Sequence, residues 1–488
     1  MQPEELLIKQ REQKLQAIRN LNIEPYPYSF DQKDFAQDIL NKFKKLKKEE
    51  KTKKSVSIAG RIMSLRVMGK ASFGHIQDQS AKIQFYIRQD QVKNQYQLFK
   101  NLDIGDIVGI KGTVFRTKLG EISVWVKNIT LLAKSLRPMP EKWHGLQDTE
   151  IRYRQRYLDL IVNPQIKEVF IKRTKIIDAV REFMNKKGFL EVETPVLQLI
   201  YGGANARPFK THLNALNMEL FLRISNEIYL KKLIVGGFER VYEFSKDFRN
   251  EGIDRTHNPE FMLMECYQAY VDYNTIADLT QDLFIYVAKK VLGTTKINYQ
   301  GIIINLKKPW KTLTMIQSIK QYAKIDVTKL DDNKIKEILK KHKIDLKGEY
   351  VRGLAIASIF EELVQPRLIQ PIFITDHPKE TTPLCKIKRG NPDLIERFEP
   401  IINGWEVGNA YSELNDPKTQ RSLLETQAKS LRAGDKEAHP MDEDFIKALE
   451  YAMPPTGGLG IGIDRMVMLF TNSQSIRDVM LFPFMKKT

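Results

Sequence analysis

At 488 residues, with 42% hydrophobic and 28% charged positions, the chain is long enough for more than one domain and an ample core. Its net charge of +18 suits a polyanionic partner such as RNA, although lysine-rich proteomes yield basic proteins without one. The two cysteines, Cys266 and Cys385, have no C-x-x-C neighbours, which fits a reducing cytoplasm and speaks against a zinc site. The start, MQPEELLIKQREQ, lacks the apolar region of a signal peptide, and no uncharged run reaches the length of a membrane span. A soluble protein is expected.

Glu4 to Leu21 has the spacing of an amphipathic helix, ended by Pro25 and Pro27. Lysine-rich sequence runs on to Lys54, so residues 1–54 form an N-terminal extension; a solvated face is one reading and RNA-backbone contact another. From Ser55 the period changes to two. VSIAGRIM, ASFGHIQD, KIQFYIR, DIVGIKGTVFRT and ISVWVKNITLL predict five short strands, with a helical piece from Gln91 to Leu102 between the third and fourth. This is the pattern of an OB-fold, a five-stranded β-barrel that binds oligonucleotides on its open face, here over 55–135. Phe73 and Gln84 fall on neighbouring strands, suited to stacking on an unpaired base and bonding its edge; barrel surface or core is the other reading.

Residues 136–165 are a connector opening with Pro138 and Pro140. Beyond it Phe170, Ile177, Val180, Phe183 and Met184 recur at helical spacing, Gly188 closes the helix, and the strand FLEVETPVL follows with Pro195 inside it. Gly202 and Gly203 permit close backbone approach to a ligand, and Ser225 as N-cap puts Glu227 in the first turn of a helix. Arg240 to Tyr270, RVYEFSKDFRNEGIDRTHNPEFMLMECYQAY, reads as two strands around a polar loop that carries Arg255, His257 and Asn258. Alternation sets Arg249 and Glu251 on one face of the first strand, and Phe261, Leu263, Glu265 and Tyr267 on one face of the second. An arginine for phosphate, a glutamate for a base amino group and a stacking phenylalanine make a nucleotide site; a solvated hairpin with surface ion pairs is the alternative. The lysine-rich stretch from Val291 to Gly348, with helices near Thr312–Tyr322 and Asp331–Lys341, reads as an insertion over about 291–350.

In FEPIINGWEVGNAYSELNDP, Asn403-Gly404 marks a two-residue hairpin turn. Ile402 then faces Trp405 and Ile401 faces Glu406, with Glu399 a diagonal neighbour of Glu406. Two carboxylates converging beside a triphosphate suit Mg²⁺; two exposed glutamates on an edge strand are the plain alternative. Strict alternation sends Asn409, Tyr411 and Glu413 to the face opposite Glu406, and a bulge at Gly408 would bring both groups together.

Pro454 to Leu469, PPTGGLGIGIDRMVML, is a glycine-rich segment leading into an apolar helix with Asp464 and Arg465 at its start. FRNE-x₅-HNPEF followed by GLGIGIDR resembles the second and third signature motifs of class II aminoacyl-tRNA synthetases, and the likeness runs nearly the whole chain. RYRQRYLDL, GGANARPF and GNAYSELNDP resemble the lysine branch of the aspartate, asparagine and lysine subgroup. The resemblance implies an α+β chain: the OB-fold barrel, then a catalytic domain over 166–488 with a mostly antiparallel sheet flanked by helices. It implies a homodimer built on the helix before Gly188 and the strand through Pro195. It also implies ATP-dependent ligation of L-lysine to tRNA(Lys) through an adenylate, with up to three Mg²⁺ ions.

By the same resemblance Arg249 and Arg465 are catalytic. ATP is held by Arg249, Glu251, His257, Asn258, Phe261, Glu406, Gly462 and Arg465. Lysine is held by Gly203, Glu227, Arg249, Glu265, Tyr267, Asn409, Tyr411, Glu413 and Gly460. Glu399 and Glu406 carry the metal, and Arg66, Phe73, Gln84 and Glu121 meet the anticodon. An acidic side-chain pocket suits an ammonium, whereas an aspartate enzyme should present a cation. Two other readings are a non-enzymatic RNA-binding relative, expected to lose an arginine or metal glutamate that this chain keeps, and a protein-lysylating paralogue, which would lack the OB-fold.

Overall fold

The computed structural model describes residues 3–140, 146, 148–346, 348–432 and 437–486, in two compact units, Met1–Gly145 and Leu146–Thr488. Positions 141–145 and 147 of the expected connector lie outside the described residues.

The first unit opens with helix α1 (Pro3–Asn20), which has Glu4 and Glu5 in its first turn. Its barrel has strands β1 (Lys51–Met68), β2 (Ala71–Gln77), β3 (Lys82–Arg88), β4 (Ile107–Arg116) and β5 (Ile122–Ala133), closed in the order β1-β2-β3-β5-β4. The helical piece is two short helices, Gln89–Val92 and Gln95–Lys100. β1 is long because it serves two neighbours: its first half pairs with β4 and its second with β2. The changeover falls near Gly60, where a Cβ would stand 2.8 Å from the Gln77 carbonyl oxygen. Alternation sends Ile58, Ile76, Ile83, Phe85, Ile110 and Val124 inward to a single core.

In the second unit, helix α2 (Pro164–Lys186) buries Ile176, Ala179, Val180, Phe183 and Met184, a stripe at three- and four-residue spacing. Gly188 follows at φ +79, the left-handed region that ends helices. The strand expected through FLEVETPVL is two pieces instead. Leu190–Glu191 (β6) joins the main sheet, while Leu197–Gln198 pairs with Met218–Leu222 in a separate small sheet. Pro195 lies between them with no N–H for a ladder, and Thr194 Oγ1 donates to Glu243 at 2.7 Å.

Next come α3 (Glu227–Val235), β7 (Arg240–Phe248), β8 (Glu260–Ala269), α4 (Tyr273–Leu292) and β9 (Lys311–Thr314). They are followed by β10 (Ile372–Pro378), β11 (Asn391–Ile402), β12 (Trp405–Glu406), β13 (Gly408–Ser412), β14 (Thr456–Gly462) and α5 (Ile463–Thr471). The main sheet has ten strands, ordered β9-β10-β11-β13-β14-β8-β7-β6, with β12 and Ile387–Lys388 attached to β11. Only β9–β10 and β6–β7 are parallel among its pairs. Met264 and Cys266 of β8 enter a core with α2, α4 and α5, so Leu263, Glu265 and Tyr267 leave by the other face. The helix expected from Thr312 begins at Met315, because Thr312–Thr314 belong to β9 and Thr314 caps the turn, accepting from Gln317 N at 3.1 Å.

Candidate active site

The second unit holds a cavity of about 390 Å³ on that free face of the sheet. Its walls include every residue assigned above to ATP or lysine, while Glu399 stands outside them.

β7 ends at Phe248, so Arg249 and Glu251 stand in the loop beyond it, not in the strand as alternation predicted. Arg249 N donates to Pro259 O at 2.9 Å and closes the neck of that loop. Its guanidinium carbon lies 4.9 Å from the Phe261 ring centroid, and its buried Nε has no hydrogen-bond partner among the described residues. Glu251 Oε1 accepts from Arg207 N at 3.4 Å. His257 Nδ1 lies 2.8 Å from Asp254 Oδ2, and its Nε2 is 3.4 Å from Arg465 Nη2. Asn258 Nδ2 donates to Glu260 O at 2.6 Å, leaving Oδ1 buried and unpartnered among the described residues.

The glycine-rich segment before the helix is itself a central strand of the sheet. β14 pairs with β8 through Gly460↔Glu265 and Gly458↔Tyr267. A Cβ on Gly458 would lie 2.0 Å from Glu413 Oε1 and 2.6 Å from the Tyr267 ring, so only glycine admits both side chains. Arg465, at the start of α5, donates to the Glu406 carbonyl oxygen at 2.5 Å.

The hairpin pairs Ile402↔Trp405 and Ile401↔Glu406, with Asn403 at φ 55 and Gly404 at φ 73, the turn geometry that Asn-Gly favours. Further along the register is Phe398↔Ala410 and Arg397↔Tyr411, one residue out of step. The extra residue falls at Gly408–Asn409. It turns Asn409, Tyr411 and Glu413 to the side where Glu406 already points, and all four line the cavity.

Three buried carboxylates meet at one end. Glu265 is bonded by Ser225 Oγ at 3.0 Å and Tyr267 OH at 3.4 Å; burial, then Asp247 and Glu227, push its pKa well up. Burial also raises Glu227, and lifts Glu413 to about 8 against the pull of Lys231. Asn226 is the capping position of α3, one residue after the expected Ser225, yet Ser225 Oγ still accepts from Glu227 N at 3.1 Å. Sequence reasoning missed Lys231. Its Nζ pairs with Glu227 Oε1 at 2.5 Å and also with Glu413 Oε2. The Glu→Lys spacing of four on a helix was its available signal. Arg397 was missed too: it donates to Asn409 Oδ1 at 3.0 Å and to Glu399 Oε1 at 2.5 Å, from the face of β11 that Glu399 shares.

Burial and then Glu399 push the Glu406 carboxyl up, an energetic penalty that a cation between them would relieve. Among the described residues no three acidic, histidine or cysteine side chains are grouped to hold a metal. A pair of carboxylates still suits Mg²⁺, which keeps water and phosphate oxygens in its other positions.

On the barrel, Arg66 pairs in register with Phe73, Phe73 with Tyr86, and His75 with Gln84. The Phe73 and Tyr86 rings are 4.6 Å apart. Gln84 Nε2 donates to Glu121 Oε2 at 2.6 Å, and His75 Nε2 lies 2.8 Å from Glu121 Oε1. The four predicted residues thus share one surface, joined by His75 and Tyr86, which were not singled out.

Comparison with known proteins agrees with this arrangement. The family described as tRNA synthetases class II (D, K and N) matches residues 148–486, and the OB-fold nucleic acid binding domain matches 56–132. A lysine–tRNA ligase of Carboxydothermus hydrogenoformans is 53% identical over 98% of each chain. One of Thermoanaerobacter sp. (strain X514) is 54% identical over 98% of this chain and 96% of its own, and that of Moorella thermoacetica is 51% identical over 100% and 99%. With one family spanning the whole second unit and relatives matching end to end, the chain belongs to the lysine–tRNA ligases of the class II tRNA synthetases.

Proposed function

We propose that the protein joins L-lysine to tRNA(Lys) in two ATP-driven steps at the cavity described above. One observation carries this reading. The same cavity presents a buried carboxylate oxygen, Glu413 Oε1, and a buried arginine nitrogen, Arg249 Nε, neither of which has a hydrogen-bond partner among the described residues. The first suits an ammonium and the second a carboxylate or phosphate.

In the first step a lysine carboxylate oxygen attacks the α-phosphorus of ATP in line. The bond to the β-phosphate oxygen breaks, pyrophosphate leaves, and lysyl-adenylate remains. In the second step a hydroxyl of the terminal tRNA ribose attacks the lysyl carbonyl carbon and AMP leaves. No protein nucleophile is required, so catalysis is positioning and charge stabilisation. Arg249 bridges the substrate carboxylate and α-phosphate, Glu251 takes the adenine amino group, and His257 and Asn258 flank the phosphate tail. Phe261 and Arg465 sandwich the adenine, with Gly462 beside it, a stacked cation being favourable on a π-face. Glu227 and the backbone of Gly203 hold the α-ammonium. Glu413 meets the ε-ammonium, with Glu265, Tyr267, Asn409, Tyr411 and Gly460 completing the wall. Glu399 and Glu406 would hold Mg²⁺, which when bound neutralises phosphate charge.

Arg66, Phe73, Gln84 and Glu121 are assigned to the anticodon. A homodimer is assigned to the α2 face and the segment after it, where Leu190, Val196, Leu197 and Leu199 are exposed. A cytoplasmic setting fits the two free, buried thiols. ATP–pyrophosphate exchange tests the reading: label should enter ATP only when lysine is present. Exchange driven by another amino acid, or none at all, overturns it.

A further inference from the structure

The two carboxylates assigned to the two ends of the substrate are already joined by a cation of the protein itself. Lys231 stands one helical turn after Glu227 on α3, and its side chain is 0% exposed. Nζ meets Glu227 Oε1 on its own helix and Glu413 Oε2 beyond β13. Glu413 Oε1, by contrast, has no donor among the described residues and faces the cavity beside Gly458. Lys231 itself stands behind the wall and does not line the cavity.

A buried ammonium needs acidic partners to replace its hydration. The converse holds for the carboxylates. Without Lys231, nothing would offset the like charges of Glu227 and Glu413 in a dry pocket, and the proton that burial already favours on Glu413 would be held more tightly still. A protonated carboxyl is a weaker acceptor where a substrate ammonium has to shed its water. Lys231 also ties an oxygen of each carboxylate to one atom, which fixes how far apart the two acceptors stand.

We infer that Lys231 is a positioning residue for the amino-acid subsite: its ammonium clamps Glu227 to Glu413, sets the separation of the two acceptors, and leaves Glu413 Oε1 turned toward the substrate. This rests on the assignment of those glutamates to the substrate's two ammonium groups. A fixed separation selects by length, so an amino acid one methylene shorter, ornithine, fits the clamp less well than lysine.

The test is pyrophosphate exchange on the full chain with Glu413→Gln, Lys231→Met and the double variant. An unchanged KM for lysine in Glu413→Gln removes the subsite assignment, and the clamp with it. Given a rise there, Lys231→Met keeps length, removes charge, and is expected to raise the lysine KM about tenfold or more. The KM for ATP should stay within about twofold, and the preference for lysine over ornithine should shrink. In the double variant the two effects should not add, because the clamp has already lost its far end. Full additivity overturns the clamp while leaving the subsite intact. So does an unchanged lysine KM in Lys231→Met, or a parallel rise for lysine and ATP, the mark of general damage. Should Lys231→Met fail to fold, Lys231→Arg keeps the charge and lengthens the tie. The lysine KM should then rise with kcat and the ATP KM held, and a parental lysine KM overturns the clamp.

Discussion

His439 forms part of the cavity wall at 3% exposure, and burial, then Lys231, lowers its pKa to about 4. Burial and then Arg397 hold His377 well below the usual range as well. In the unfolded chain a histidine titrates near about 6.5. Below that pH the unfolded chain binds protons that the folded chain refuses. Stability from these residues is therefore complete above about pH 6.5 and is lost as pH falls toward 4, at up to about 1.4 kcal/mol per pH unit for each. The raised carboxyls of Glu265 and Glu413 act with the opposite sign, so the telling quantity is a difference between parent and variant. Urea titrations across pH 4–7 should show a shallower acid loss for His439→Gln than for the parent, and equal slopes would refute this account. At this scale the sequence displayed the acceptors and hid what joins them. Glu227 and Glu413 stand out by motif, whereas Lys231 resembles a surface lysine until α3 is seen to bury it, with Leu230 and Ile234, against the sheet.

Among elements, legibility followed the strength of local rules. Asn403-Gly404 dictated its turn and so the pairing of Ile401 with Glu406. The bulge near Gly408 was legible only as a conflict between alternation and motif, and the register shows how the chain resolves it. Two extents were misjudged. FLEVETPVL has strand-forming composition, but Pro195 splits it between two sheets, and β7 ends before Arg249 because Pro259, next in register, accepts from Arg249 N but has no N–H to return. On the barrel, Phe73 leans on Tyr86, its cross-strand partner between β2 and β3. Phe73→Ala should weaken tRNA binding by about 1–3 kcal/mol, the worth of one stacked base, while lysine-dependent pyrophosphate exchange stays near parental. Filter binding beside exchange checks this; a matching loss in both would indicate a damaged fold and not a lost contact with RNA.

For the whole molecule, the order of the two folds was written in periodicity, five period-two segments and then helical spacing, and the charge pointed to a polyanion. Partner identity was legible only through motifs, because composition cannot tell a ligase from any other basic protein. The barrel closes around its own core, Ile58 to Leu131 among its members, while the sheet of the second unit is packed by other side chains altogether. Calorimetry should therefore record two heat-absorption peaks, since unfolding one core does not require opening the other. Lysine with ATP should shift only the peak of the second unit, and an anticodon stem-loop only that of the barrel, each by an amount set by ligand concentration over its dissociation constant. A single peak that both ligands move together would mean that the two units melt as one. Separate peaks would let each ligand's affinity be read from its own transition, in one sample, without following the reaction.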